Sequence, residues 1–232
     1  MADRFPEVQP HGELEKIIDD VWYLTGSVAF RPLVRLPRNM VVVRHGGELT
    51  LINSVRLDAK GEGALLALGK IAHVMKIGFH AMDDAYYVDR FGAKYWSVSP
   101  DSDAVTKIDE NTVLPFPDAH VFMFKQTNRP EAAILIERDG GLLITCDSVQ
   151  HWVPKKIMSP LAKVLTRFIG FQKSAQIGPP WRKAMTPEGG SLRGDFERLA
   201  GLKFSRLIGG HGGLLEAKAN EVLSQSIRRE FG

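Results

Sequence analysis

The chain contains two regions whose sequence is typical of β-strands, and each of them includes a hairpin turn. The first runs from Asp20 to Val55 and is rich in Val, Ile, Thr and aromatic residues, with the turn "HGGE" at 45–48. The second spans 118–149 and turns at "RDGG", residues 138–141. Helical patterns accompany both halves, and "LLEAKANEVLSQSIRREF" is read as a terminal helix. These features predict an α/β fold of two stacked mixed sheets with helices outside.

Composition limits the class of protein further. The 232 residues carry a net charge of +3 and a single cysteine, and their length suits one domain over 1–232. One cysteine excludes a disulfide framework and multi-cysteine metal sites, and Cys146 lies in an apolar run, as a buried structural thiol would. The net charge is too small to favour nucleic acid as a partner.

The location of the protein is predicted from its apolar stretches. The first twenty residues are charged throughout and contain no apolar core of a signal peptide. No run of about 18 apolar residues is present, so a transmembrane segment is not expected. Together with the lone cysteine, this favours a cytoplasmic location.

Candidate functional side chains follow directly after apolar strands. His80 and Asp84 follow "VMKIG", Asp147 follows "LLITC", and His211 follows "RLIGG". Strand ends meet at one rim of a sheet, and two imidazoles with two carboxylates suit zinc, iron or manganese. Each residue also has a structural reading, as a loop histidine, a helix cap or a turn residue. A purely structural role is least expected for His211, because it is flanked on both sides by pairs of glycines.

These segments, with "GELTLINSV" and "LGKIAHV", resemble the metallo-β-lactamase superfamily over about residues 20–228. The resemblance implies a four-layer αββα sandwich. It also implies an H-x-H-x-D-H motif, a later histidine, a bridging aspartate and a final histidine, which hold two metals over a hydrolytic water.

Only four of the seven implied ligands are retained. His80 and Asp84 match the first histidine and the aspartate of the motif, but Met82 and Ala85 stand where histidines are expected. Asp147 matches the bridging aspartate and His211 the final histidine. The intermediate histidine is missing from "TNRPEAA" (127–133), where Arg129 or a neighbour takes its place.

The retained residues imply at most one divalent metal, zinc or else iron or manganese, and the alternative is no metal at all. Asp84, Asp147 and His211 would hold the ion, with His80 as a fourth ligand or a proton carrier. His151 and Glu131 are further candidates for a lost ligand position, although a non-ligand role is favoured for both.

Residues 151–194 form a basic insert. They contain eight Lys and Arg against one Glu, a net charge of +7 that leaves −4 for the rest of the chain. Ile157, Leu161, Val164, Leu165 and Phe168 recur at helical spacing. The favoured interpretation is a helix that packs its apolar face on the domain or on a second subunit of a homo-oligomer. The alternatives are a lid that attracts an anionic substrate and a peripheral contact with an anionic membrane.

Two functions follow as hypotheses. The first is a metal-dependent hydrolase of a small molecule, in which His80 and Asp84 assist a metal-bound water against an ester, amide or phosphoester. The second is a non-catalytic member of the same fold that binds a ligand or partner through the remnant pocket and the insert. The lost histidines favour the second hypothesis, and the retained Asp/Asp/His set favours the first.

Overall fold

The computed structural model describes residues 4–99, 106–153, 156–171 and 173–232. Its larger sheet has seven strands whose spatial order is their chain order. These are β1 (Glu15–Ile18), β2 (Val21–Arg31), β3 (Val34–His45), β4 (Glu48–Ile52), β5 (Lys70–Lys76), β6 (Lys94–Ser97) and β7 (Thr106–Lys107). Strands β1 to β4 are antiparallel, and β4 to β7 are parallel. The predicted Gly-Gly hairpin between β3 and β4 is confirmed.

Two helices connect the parallel strands and cover the outer face of this sheet. Helix α1 (Ala59–Leu68) begins where the Asp58 carboxylate accepts a hydrogen bond from the Gly61 amide, and it ends at the predicted Gly69. Helix α2 (Asp84–Phe91) has the acidic first turn expected from the sequence. Leu65 and Tyr87 from these helices pack on outward-facing apolar residues of the sheet.

The smaller sheet has five strands in the order β14-β13-β10-β9-β8. They are β8 (Ala119–Met123), β9 (Ala132–Ile136), β10 (Leu142–Ile144), β13 (Arg206–Ile208) and β14 (Leu214–Leu215). Strands β10 and β13 are parallel, and the other pairs are antiparallel. A two-stranded ribbon, β11 (Val149–Gln150) with β12 (Gln176–Ile177), lies beyond β10 in the chain.

Helices also cover the smaller sheet. They are α4 (Pro179–Met185), α5 (Arg193–Ala200) and α6 (Ala219–Phe231), whose Trp181, Phe196 and Leu223 pack on its outer face. The inner faces of both sheets form a shared apolar core, to which Val41 and Met75 contribute from one sheet and Ile134 and Ile144 from the other. The predicted αββα sandwich is therefore confirmed.

Two expectations from the sequence are wrong: the start of the terminal helix and the packing of the insert's helix on the domain. Packing of that helix on a second subunit stays a prediction. Leu214 and Leu215 pair with β13 as a strand instead of opening the terminal helix, which begins only after Lys218, a residue with positive φ. Helix α3 (Pro160–Phe168) of the basic insert does not bury its apolar stripe on the domain. Its protein-facing side chains are the small Ala162 and Thr166, and the larger apolar side chains point outward.

Two asparagines of the larger sheet join it to the ends of the smaller sheet. In β3, the buried Asn39 donates from Nδ2 to the carbonyls of Gly209 (2.9 Å) and Gly212 (3.3 Å). The backbone amide of Asn39 also donates to the Gly210 carbonyl (2.8 Å). After β4, Asn53 donates from Nδ2 to the Thr145 carbonyl (3.2 Å). These bonds fix the loops that follow β10 and β13.

We predict that Asn39→Ala lowers the free energy of unfolding by about 2 kcal/mol, because buried carbonyls lose their donors. Urea unfolding followed by circular dichroism measures this change. The matched control is Asn111→Ala at an exposed position, which should change stability by less than about 0.5 kcal/mol. Equal stability of the two variants would contradict the structural role of Asn39.

Candidate metal centre

Three of the four predicted site residues meet in the structure. Ligand atoms of His80, Asp147 and His211 all lie within 4.8 Å of one another. The Oδ1 atom of Asp147 is 3.4 Å from Nε2 of His80 and 3.2 Å from Nε2 of His211. The two imidazole rings are perpendicular, with centroids 4.7 Å apart. One carboxylate oxygen and two imidazole nitrogens therefore lie close enough together to serve as ligands of one ion.

The topology of the sheets explains this convergence. Asp147 follows β10 and His211 follows β13, and these parallel neighbours end at the same edge of the smaller sheet. His80 follows β5 of the larger sheet. The amide of Ala132 in β9 donates to the Ile77 carbonyl (2.8 Å), which brings the end of β5 against the smaller sheet.

Glycines hold His211 close to the segment that follows Asp147. A Cβ atom at Gly209 would lie 2.4 Å from the Val149 carbonyl oxygen. Gly212 has φ +87°, and a Cβ atom there would lie 2.1 Å from the His151 carbonyl oxygen. Neither position admits a side chain, so the glycines flanking His211 serve close backbone packing.

The orientation of His211 is set by a backbone carbonyl. Its Nδ1 atom is 2.5 Å from the carbonyl oxygen of Pro37. Because a carbonyl only accepts, Nδ1 carries the hydrogen, and the lone pair of the neutral ring is on Nε2, which faces Asp147. Trp152 stacks on the ring at a centroid distance of 5.9 Å. A histidine held in this way is typical of metal ligands.

The charges of the group favour a bound cation. Burial by itself raises the pKa of Asp147, but the adjacent His80 and His211 outweigh it and hold that pKa well below the usual range. Burial lowers the pKa of His211, yet the Asp147 carboxylate prevails and raises it. An anionic carboxylate between two imidazoles thus attracts either a proton or a metal ion. Two histidines and one carboxylate are a ligand set used by both zinc and iron.

Asp84, the fourth predicted ligand, lies outside this group of described residues. It is buried and accepts a hydrogen bond from the Ser54 hydroxyl (2.5 Å). Burial raises the pKa of Asp84 to about 6, although hydrogen bonds from Ser54 and Tyr95 and the charge of Arg38 oppose the shift. The Oδ1 atom of Asp84 is thus engaged by Ser54, which follows β4.

Arg38 is a buried cation near the site that sequence reasoning missed. It forms an ion pair with Asp83, and it donates to the Ser54 carbonyl (2.6 Å). Its charge opposes the rise in the pKa of both Asp84 and His211. An arginine directly before the apolar run "NMVVV" was the available signal. A guanidinium thus supplies a permanent positive charge beside two residues that the resemblance assigns to metal binding.

The other residues considered at the lost ligand positions also lie outside the group of His80, Asp147 and His211. Glu131 is fully buried and accepts a hydrogen bond from the Ser148 amide (3.1 Å). Its burial, reinforced by the Asp147 charge, raises the pKa of Glu131 to about 8.

His151 forms an isolated β-bridge, and the Arg129 guanidinium lies over the Phe79 ring. Met82 is exposed, while Cys146 is buried as predicted.

A cavity of about 450 Å³ is lined by His80, Asp147 and His211, and its other walls are mainly apolar. They include Val28, Val34, Leu36, Phe79, Trp152, Leu165, Ile169, Phe171 and Trp181. Among the described residues that line the cavity, none is Lys or Arg. The cavity therefore suits an apolar molecule with one polar group near His80, Asp147 and His211.

Solved structures with a similar fold are metallo-β-lactamases. VMB-1 has a TM-score of 0.66 and 12% identity, covering 96% of this chain and 97% of its own. FIM-1 from Pseudomonas aeruginosa, in its mono-zinc form, has a TM-score of 0.62 and 13% identity, covering 97% of both. A metallo-β-lactamase from Erythrobacter litoralis has a TM-score of 0.63 and 11% identity, covering 96% of both.

No protein-family model and no curated protein matches the sequence. The similarity to solved structures covers nearly the whole chain, at 11 to 14% identity. It shows that the chain has the metallo-β-lactamase fold, as the resemblance implied.

We predict that Glu131 makes the protein less stable as pH rises. The folded carboxyl group has a pKa of about 8 and the unfolded group one near 4.5, so unfolding releases a proton between these values. The free energy of unfolding should therefore lose roughly 4 kcal/mol from this group between pH 5 and pH 8. Glu131→Gln, which mimics the neutral form, should remove that loss.

Urea unfolding at several pH values measures the difference between the wild type and Glu131→Gln. The control is Glu188→Gln, at an exposed position, whose pH profile should follow that of the wild type. Parallel profiles for Glu131→Gln and the wild type would show that Glu131 is ionised in the folded protein.

Proposed function

We propose that the protein is a hydrolase that uses one divalent metal ion, held by His80, Asp147 and His211, to cleave an ester, thioester or amide with an apolar acyl group. The observation that carries this proposal is the convergence of these three side chains on a largely apolar cavity. The mono-zinc form of the similarly folded FIM-1 supports a single ion and favours zinc. Asp84 is left out of the ligand set because it lies outside the described group whose ligand atoms meet.

A bound divalent ion lowers the pKa of a coordinated water and polarises a carbonyl oxygen. The protein residues hold the ligands in place for that chemistry. The Pro37 carbonyl keeps the Nε2 lone pair of His211 directed at the site, and Gln150 Nε2 donates to Asp147 Oδ1 (3.1 Å). Arg38, which is paired with Asp83, opposes protonation of His211 and so helps to keep its lone pair free.

The cavity selects the substrate. Its walls of Leu36, Phe79 and Trp181 can bury an acyl chain, while the polar group of the substrate faces the three ligands. Burial of one CH₂ group contributes about 0.8 kcal/mol, so a longer chain should bind more tightly until the cavity is filled. The cavity offers no cationic side chain among the described residues, so the expected anionic substrate is not part of this proposal.

A second candidate is a binding protein without catalysis. The observation that favours it is the hydrogen-bonded geometry of Asp147 with both imidazoles, which satisfies the carboxylate without a metal. In that case the cavity binds an apolar ligand, and the ionised His–Asp group recognises its polar end.

We predict that the chelator-treated protein binds close to one equivalent of Zn²⁺ in calorimetric titration. Asp147→Asn should weaken this binding by roughly a hundredfold or more, since removal of a ligand costs at least as much as removal of a supporting group. Asp84→Asn is the matched comparison and should retain the affinity within a few-fold. A stoichiometry near two, or equal losses in both variants, would contradict the three-residue site.

We predict that the zinc-loaded enzyme hydrolyses acyl esters or thioesters, with kcat/KM rising up to roughly fourfold for each added CH₂ group until the cavity is filled. A chromogenic series of increasing acyl length measures this. Asp147→Asn should remove the activity. Tight binding of the long-chain substrates with no turnover in the loaded wild type would favour the second candidate.

A further inference from the structure

A second feature of the molecule is an exposed apolar surface next to the cavity. It is formed by the β2–β3 hairpin tip and by α3, and we call it the hairpin–helix face. Leu33 is 82% exposed, Phe168 is 83% exposed and Phe30 is 63% exposed. The apolar side chains of the face are Phe30, Leu33, Leu161, Val164, Phe168 and Ile169. Large apolar side chains clustered in this way mark an interaction surface.

Hydrogen bonds hold the two parts of this face together. The Ser159 hydroxyl, which caps α3, donates to the Leu33 carbonyl (2.7 Å) and accepts from the Arg35 amide (3.1 Å). The Ser159 amide donates to the Arg35 carbonyl (3.3 Å). Because the hairpin tip is fixed to the beginning of α3, their apolar side chains form one surface.

The same surface is strongly basic. Arg31 and Arg35 on the hairpin and Lys163 and Arg167 on the helix are exposed, and none forms an ion pair with another residue that the structure describes. Residues 28–36 and 156–171 contain no Asp or Glu. Exposed apolar side chains bordered by cations match the interface of a bilayer that contains anionic lipids.

We infer that the hairpin–helix face docks on an anionic membrane surface. Its apolar side chains enter the boundary of the acyl chains, and the four basic side chains contact lipid phosphates. A second copy of the chain fits this face less well. A two-fold contact would bring the same basic face of both copies together, and like charges repel across an interface.

The position of the cavity relates membrane docking to ligand entry. Phe30, Leu165 and Ile169 are exposed and also line the cavity that contains His80. The mouth of the cavity therefore lies at the edge of the hairpin–helix face. Docking would place that mouth at the bilayer, from which an apolar molecule can enter without crossing water.

Co-sedimentation with sucrose-loaded vesicles tests this inference on the full chain. Binding is expected to an equal mixture of phosphatidylcholine and phosphatidylglycerol, to weaken as salt is raised, and to be far weaker for phosphatidylcholine alone. Lys163→Ala with Arg167→Ala should reduce the partition coefficient by roughly thirtyfold. The control with the same net charge is Lys107→Ala with Lys203→Ala, at exposed positions elsewhere, and should bind nearly as the wild type does.

The apolar contribution is tested separately. Leu33→Ser with Phe168→Ser should reduce binding at least tenfold, because two large side chains no longer enter the bilayer. Val113→Ser is the control, since Val113 is 87% exposed outside the face. All these positions are exposed, so circular dichroism should show folded variants.

Three outcomes would overturn the inference. They are absence of binding to anionic vesicles, equal binding of the face variants and the controls, and a dimer in light scattering that dissociates in the face variants without any vesicle binding. The test is independent of the proposed hydrolase activity, because Asp147→Asn should bind vesicles as the wild type does. Intact vesicle binding by a zinc-loaded wild type that hydrolyses none of the acyl substrates would thus reject only the catalytic proposal.

Discussion

The candidate site depends on the hydrogen bonds that join the two sheets at one edge. Asn39 donates to carbonyls on both sides of His211, and Asn53 donates to the carbonyl of Thr145, two residues before Asp147. Apolar packing between sheets is non-directional and does not by itself fix where their loops lie. Directional bonds from buried amides do so, because a buried carbonyl without a donor costs free energy. These hydrogen bonds, made at one edge of the two sheets, explain why His80, Asp147 and His211 converge.

The charges beside that edge bear on the single metal site that we propose. Asp147 stands between two imidazoles and is available to a cation. Asp84 is instead engaged by Ser54 and lies in the field of Arg38. Arg38 is paired with the buried Asp83, and its charge opposes protonation of His211. The three lost histidine ligands are thus the reason to expect a single site.

Much of the fold could be predicted because strand composition, glycine turns and helix ends are local signals. The hairpin at Gly46–Gly47 and the end of α1 at Gly69 are examples. Strand ends likewise pointed to His80, Asp147 and His211. The direction of the Asp84 side chain and the burial of Arg38 depend on partners distant in sequence, such as Ser54 and Asp83. The apolar stripe of α3 was misread since periodicity shows that a helix is amphipathic but not what covers its apolar side.

The central claim is that this fold retains one metal site, made by three side chains. An anomalous difference map at the zinc edge, from crystals of the full chain grown with Zn²⁺, tests it most directly. We expect a single strong peak between His80, Asp147 and His211, and no peak beside Asp84 and Arg38. Two neighbouring peaks, a peak bound by Asp84, or no peak at the three residues would contradict it.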